Sequence, residues 1–145
     1  MRILDDLLNS VRVEGTVRKL MVGRLITASV VRVEGFDFCG VATTLAGQPD
    51  DQQRPAVREA GFLEGRPSWD VACLVKSVRP TEASIGMATL NALLAFRNQT
   101  DPKWMGEPET GVNASDLLNR EGQQKKIALV GHFPFVEQLR KEVPG

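Results

Sequence analysis

Hydrophobic positions first recur at a helical interval. Ile3, Leu4, Leu7 and Leu8 fall one turn apart, so residues 2–10 read as a short amphipathic helix. The period then changes, and 16–22, 25–33 and 38–45 are β-branched and aromatic stretches that read as strands. Gly23 and Arg24 alone separate the first two, which predicts a tight hairpin, and Glu34, Gly35 and Phe36 mark the second turn. The expected product is a three-stranded antiparallel meander. From 46 to 61 no apolar period remains, and Gln, Asp, Pro and Arg residues predict a solvated loop.

Helical patterning returns at Pro67, whose missing N–H suits the first turn of a helix running to about Ser77. Arg79-Pro80 ends it, and Thr81 is placed to cap a second helix over 81–97, with Glu82 at its positive end. That segment, TEASIGMATLNALLAF, is apolar on almost every side and is expected in the core. Its small residues Gly86, Ala88, Ala92 and Ala95 allow a neighbouring backbone to approach closely. Residues 98–112 contain Pro102, Gly106, Pro108 and Gly111 and read as a linker, followed by a short helical piece around 115–119. Three parts result: an α+β domain over 1–97, a linker over 98–112, and a further unit over 113–145.

Within that last unit, Ile127-Ala128-Leu129-Val130 is a continuous apolar run of the kind found in strands covered on both faces. Gly131 supplies a sharp turn, and Pro134 is placed to begin a helix through Lys141. A strand apolar on both faces needs neighbours to pair its backbone. With only one strand and one helix in this half, the expectation is a truncated frame, the alternative being a partner strand borrowed from the first domain or from a second copy, as a homodimer.

Bulk properties narrow the function classes. At 145 residues and 15.9 kDa the chain has room for a true core. Lys plus Arg and Asp plus Glu number 18 each, so there is no net field to draw in a polyanion, and no nucleic acid partner is expected. No run of about 18 apolar residues suggests a membrane span. Asp5 and Asp6 interrupt the segment where an export signal would need to be apolar, which points to a cytoplasmic protein. Cys39 and Cys73 form no CxxC pair, fit a reducing compartment, and are expected as small buried hydrophobes.

His132, the chain's only histidine, follows the expected strand. In open α/β sheets ligands bind beyond the carboxyl ends of strands, so His132, Phe133 and the amides near Phe135 mark the best candidate site, the plain alternative being an exposed turn residue. The imidazole can serve as a ligand, a hydrogen-bond donor or a proton carrier. Neither a GxGxxG fingerprint nor a GxxxxGK[ST] loop is present, which argues against NAD, FAD or ATP. Asn91 is the one strongly polar residue within the apolar helix; it either bonds a nearby strand backbone or faces a cleft. The spacing of Cys39 and Cys73 gives no support for a zinc site with His132. Asp50, Asp51, Glu59 and Glu64 interleave with Arg54, Arg58 and Arg66 as a solvated face, and one histidine with no nucleophile elbow supports no hydrolase triad.

Three segments, GVATTL (40–45), SIGMATLNALL (84–94) and KKIALVGHFPFVEQLR (125–140), resemble a family of bacterial and archaeal heavy-metal chelation proteins. The resemblance implies an enolase-N-terminal-like α+β domain joined to a Rossmann-like domain, with a site in the cleft between them. Carried over, it points to Gly131, His132 and Phe133, and to the stretch from Gly86 to Asn91. A transition metal ion bound through His132, or a small molecule, is the ligand it implies. The alternatives are an enzyme acting on a small anionic metabolite held at the helix beginning at Pro134, and a non-catalytic remnant that self-associates.

Overall fold

A computed structural model describes residues 2–45, 56–101, 110–129 and 133–142. Its elements run α1 (Arg2–Ser10), β1 (Thr16–Val22), β2 (Ile26–Val33), β3 (Phe36–Thr43), α2 (Ser68–Ala72), a 3-10 turn (Cys73–Lys76), α3 (Pro80–Thr100), α4 (Ala114–Glu121) and α5 (Val136–Glu142). The chain is thus α+β, with an antiparallel sheet in the order β1-β2-β3. Its contacts divide into two units, Met1–Gly106 and Glu107–Gly145. No helix among the described residues is long and apolar enough to cross a membrane.

The meander forms because both turns are two residues long. Gly23 N–H donates to the Ile26 carbonyl at 2.9 Å and closes the first. At the second, Glu34 and Gly35 both take positive φ, 51° and 85°, which matches the right-handed twist of the paired strands. Val33 therefore pairs with Phe36, and β3 starts there and not at residue 38.

Alternation then sorts the side chains. Val17, Thr27, Ser29, Val31, Val33 and Gly40 are buried and face α3, while Lys19, Met21, Cys39 and Val41 alternate outward and are exposed. One irregularity between Val17 and Lys19 keeps Leu20 opposite Ser29, on the helix side. The outer edge of β1 is covered: Val17 N–H donates to the Arg66 carbonyl at 3.0 Å, Gly65 N–H to the Val17 carbonyl at 2.7 Å, and Leu20 N–H to Glu64 Oε1 at 2.9 Å. Covering an edge in this way removes a template for strand addition.

α3 lies across this sheet as expected from its all-round apolar sequence. Ile85, Ala88, Leu90, Ala92 and Leu93 are at most 2% exposed, and Phe96 packs edge-on against Phe38. Ala95, counted with the small packing residues, lies exposed, because its position turns away from sheet and turn alike. The helix starts one residue before the expected cap. Pro80 occupies its first turn, Arg79 is the N-cap, and no side chain caps it, so Thr81 does not have the capping role. It continues to Thr100, where Asp101 precedes Pro102, a context that disfavours further helix.

In the second unit, Asn113 caps α4 by accepting from Ser115 N–H at 3.2 Å. The described part of the apolar run after it is no strand: residues 126–129 have no regular structure, and no neighbouring strand pairs with them among the described residues. Ile127 instead packs at Gly122, where a β-carbon would lie 2.4 Å from its Cδ1. The expected helix from Pro134 appears as α5, beginning at Val136.

Candidate functional site

A groove of about 700 Å³ runs between the free edge of β3 and the first half of α3. Leu4, Val75, Met87 and Ile26 give it apolar walls, and Asn91, Ser84 and Thr43 supply polar side chains. Thr44 N–H bonds the Leu25 carbonyl, so even-numbered residues of this strand turn their amides toward β2 and odd-numbered ones toward the edge. Val41 is one of the latter. Its outward carbonyl accepts from Asn91 Nδ2 at 2.8 Å.

Both readings of Asn91 therefore hold at once: it bonds a strand backbone and it stands in a cleft. Because the Val41 carbonyl is an acceptor, the anchored end of the amide must be its NH2, which fixes the flip. The amide oxygen takes no hydrogen bond from the described residues and remains an acceptor for something else. Ser84 is committed, accepting from Leu45 N–H at 2.9 Å and donating to the Pro80 carbonyl at 3.1 Å.

Gly86 is buried one turn away. A β-carbon there would lie 2.0 Å from the Val75 nitrogen and 2.5 Å from the Leu74 carbonyl carbon, so the bare α-carbon is what lets the 3-10 turn rest on α3. Gly40 does the same for the sheet, with a virtual β-carbon 2.2 Å from both the Ala88 oxygen and the Ala92 nitrogen. Of the remaining expected site residues, Gly131 and His132 lie outside the described residues. Phe133, in the second unit, is partly exposed and stacks on Phe135 with ring centroids 5.5 Å apart.

Sequence reasoning passed over the role of Glu82. Though in the first turn of α3, it is 1% exposed and is held by Arg58 N–H at 2.8 Å, by the Arg58 guanidinium at 3.2 and 3.3 Å, and by Ser77 Oγ at 2.5 Å. Burial pushes its pKa up, but the hydrogen bonds from Arg58 and Ser77 and the guanidinium charge outweigh that and bring it down to about 2. The carboxylate latches the segment around Arg58 onto the start of α3, beside a cavity of about 240 Å³ floored by Leu63, Val71 and Leu74. An acidic residue at a helix start was visible in the sequence; its burial was not.

The donors needed by a soft metal ion are not assembled among the described residues, where no group of three His, Cys, Asp or Glu side chains can hold one. Cys39, expected to be buried, is exposed because it alternates with the inward Gly40 on β3. Cys73 is half-buried in the 3-10 turn on the opposite side of the sheet, and burial chiefly pushes its thiol pKa up, away from the thiolate that a metal requires. The two thiols do not fit a shared ion.

Comparison with known families is decisive on kinship. A family described as "Putative heavy-metal chelation" (DUF4213) matches residues 4–94, more than half of the chain. The chain belongs to the DUF4213 family. The matched part runs from α1 into α3 and contains Asn91, Gly86 and both cysteines but no histidine. Two solved structures are similar to the DUF4213 chain, both of proteins with unknown function from the DUF364 family. One, from Desulfitobacterium hafniense, is 27% identical with a TM-score of 0.61, and the match covers 98% of this chain and 53% of that one. The other, from Pyrococcus horikoshii, is 22% identical with a TM-score of 0.58, covering 98% of this chain and 52% of that one. The chain thus spans about half the length of the solved structures it matches. A comparison with curated proteins finds no match.

Proposed function

We propose that this DUF4213 chain is a binding protein for a small ligand, which takes a hydrogen bond to the free oxygen of Asn91 and lays an apolar body along Met87, Val75 and Leu4. The observation that carries this reading is the half-used amide of Asn91 in a mostly apolar groove. Few precisely placed polar groups on an apolar lining are the usual make-up of a small-molecule site. Gly86 shapes the helix beneath the groove, and Gly131, His132 and Phe133 are proposed as further contacts. The division into an enolase-N-terminal-like domain over 1–97, a linker over 98–112 and a Rossmann-like unit over 113–145 belongs to the same proposal.

The family's description adds a metal ion to the candidates. Since the described thiols do not fit one, metal binding by this chain rests on His132, and a single imidazole supplies one of the four ligands that a zinc-like ion takes. Calorimetric titration with zinc and cadmium is expected to show weak binding that His132→Ala abolishes and Cys39→Ser leaves untouched. Identical heats for wild type and His132→Ala would remove the metal reading.

Native mass spectrometry of freshly purified protein tests the ligand itself. Wild type is expected to carry a small-molecule adduct that Asn91→Leu lacks, although the variant remains folded, because loss of one exposed-edge hydrogen bond costs about 1 kcal/mol. Wild type free of adduct, or an adduct indifferent to Asn91, would count against the groove.

A further inference from the structure

A second groove, of about 850 Å³, lies at the opposite end of the first unit, where the segment leaving α1 passes the start of α2. Its position differs from the Asn91 groove, and no residue is common to the two. Two of its lining residues, Trp69 and Arg12, and the neighbouring Ser68 are unusual for a surface depression. The Ser68 side chain is fully buried, and its hydroxyl has no hydrogen-bond partner. The adjacent Trp69 carries a buried indole N–H that is likewise without a partner. Arg12 sets its guanidinium 4.9 Å from the centroid of the same indole and makes no ion pair with the described residues.

Buried donors in native proteins nearly always find an acceptor, because an orphan keeps the full penalty of leaving water. The backbone does not supply one here: the Ser68 amide is already bonded to the Gly15 carbonyl at 2.8 Å, and its hydroxyl sits 2.8 Å from where a β-carbon on Gly15 would be. Gly15 is part of the groove wall, and the buried Ser68 hydroxyl lies directly behind it, with no side chain on Gly15 to fill the space between. Ser68, Trp69 and Arg12 are all donors, and together they call for an oxyanion.

The same groove has the opposite charge on offer. Glu14 and Asp70 line it and have no partner among the described residues, whereas Arg32 beside them is taken by Asp37 through two hydrogen bonds of 2.8 and 2.7 Å. A guanidinium without a carboxylate, and carboxylates without a cation, in one cavity are complementary to a ligand bearing both charges. Val13 and Pro67 add an apolar wall for the remainder of such a ligand.

We propose that this groove binds a free neutral amino acid with an apolar side chain. Its carboxylate accepts from Arg12 and from the orphan donors of Ser68 and Trp69, its ammonium faces Glu14 and Asp70, and its side chain lies on Val13 and Pro67. The indole N–H and the Ser68 hydroxyl are both closed to solvent, so entry requires Arg12 to move relative to the ring and the chain at Gly15 to give, and the emission of Trp69 reports binding.

The experiment uses the full chain with Trp104→Phe, which leaves Trp69 as the sole tryptophan. L-leucine is expected to shift the emission and raise Tm, whereas L-leucinamide, which lacks the carboxylate, and N-acetyl-L-leucine, which lacks the ammonium, do neither. Without amino acid, Ser68→Ala is expected to melt at the same temperature or higher, because it removes a buried hydroxyl that has no partner, and to bind leucine about ten-fold more weakly. Arg12→Gln, at an exposed position, is expected to lose the response while staying folded. No response to leucine, or equal responses to the two blocked forms, overturns the proposal. So does a fall in Tm for Ser68→Ala alone, which would mean that a structural water already satisfies the hydroxyl.

Discussion

Gly86→Ala is expected to lower stability by about 3 kcal/mol or more, a large share of what a domain of this size has to lose. Two effects compete at this position. Alanine in a helix interior is better than glycine by about 1 kcal/mol, so an exposed Gly→Ala change in α3 would stabilise. Here, however, the new β-carbon would meet the Val75 nitrogen at 2.0 Å and the Leu74 carbonyl carbon at 2.5 Å, and these are backbone atoms that no rotamer change can move aside. The clash wins, and the 3-10 turn must lift off α3. Gly40→Ala is expected to behave alike, since its β-carbon would strike the backbone of Ala88 and Ala92 and push the sheet from the helix. Urea denaturation of the two variants checks both, and a midpoint at or above that of wild type for either would show that the turn or the sheet can shift at little cost. Gly35→Ala is the useful contrast: nothing lies within 4 Å, and only its φ of +85° resists substitution.

Acid is expected to weaken the protein through Glu82. Its pKa falls from an ordinary 4.5 to about 2 in the folded chain, so the folded state holds the proton less tightly than the unfolded one. The stability it contributes is fully present above about pH 4.5 and disappears as the pH falls toward 2. A shift of that size corresponds to about 3 kcal/mol. Glu82→Gln keeps the shape but not the charge, and is expected to cost about 2 kcal/mol at neutral pH while flattening the profile between about pH 4.5 and pH 3. Arg58 limits the damage, because its side chain is 60% exposed and returns to water when its partner is gone. Denaturation midpoints measured across this range would contradict the latch if wild type and Glu82→Gln declined in parallel.

Glu82 also shows where the sequence stops informing. Its place in the first turn of α3 could be read from the expected helix start at Thr81, one residue before it, but an acidic residue at a helix start is ordinarily solvated. The segment around Arg58 and the Ser77 hydroxyl close over it, and the former has no periodic pattern to announce its path. Ser68 and Trp69 are similar: each is unremarkable as a residue type, and their lack of partners depends on Gly15 and Arg12 arriving from another part of the chain. For Asn91 the sequence went further, since a lone amide in an apolar helix has to bond something; the partner, an edge carbonyl of β3, came from the packing.

Local chemistry determined much of this protein in advance. Period-two alternation, the Glu34-Gly35 turn, Pro80 and the small residues of the central helix specify a meander and the helix that covers it, because each acts within a few residues of chain or through one repeated face. The tertiary structure decided the rest. It turned Cys39 outward by strand register, left residues 126–129 without a strand to pair with among the described residues, closed water off from Glu82 and Ser68, and gave Asn91 a bond for only one end of its amide. Burial and hydrogen-bond partnership depend on segments distant in sequence, and no local pattern carries them.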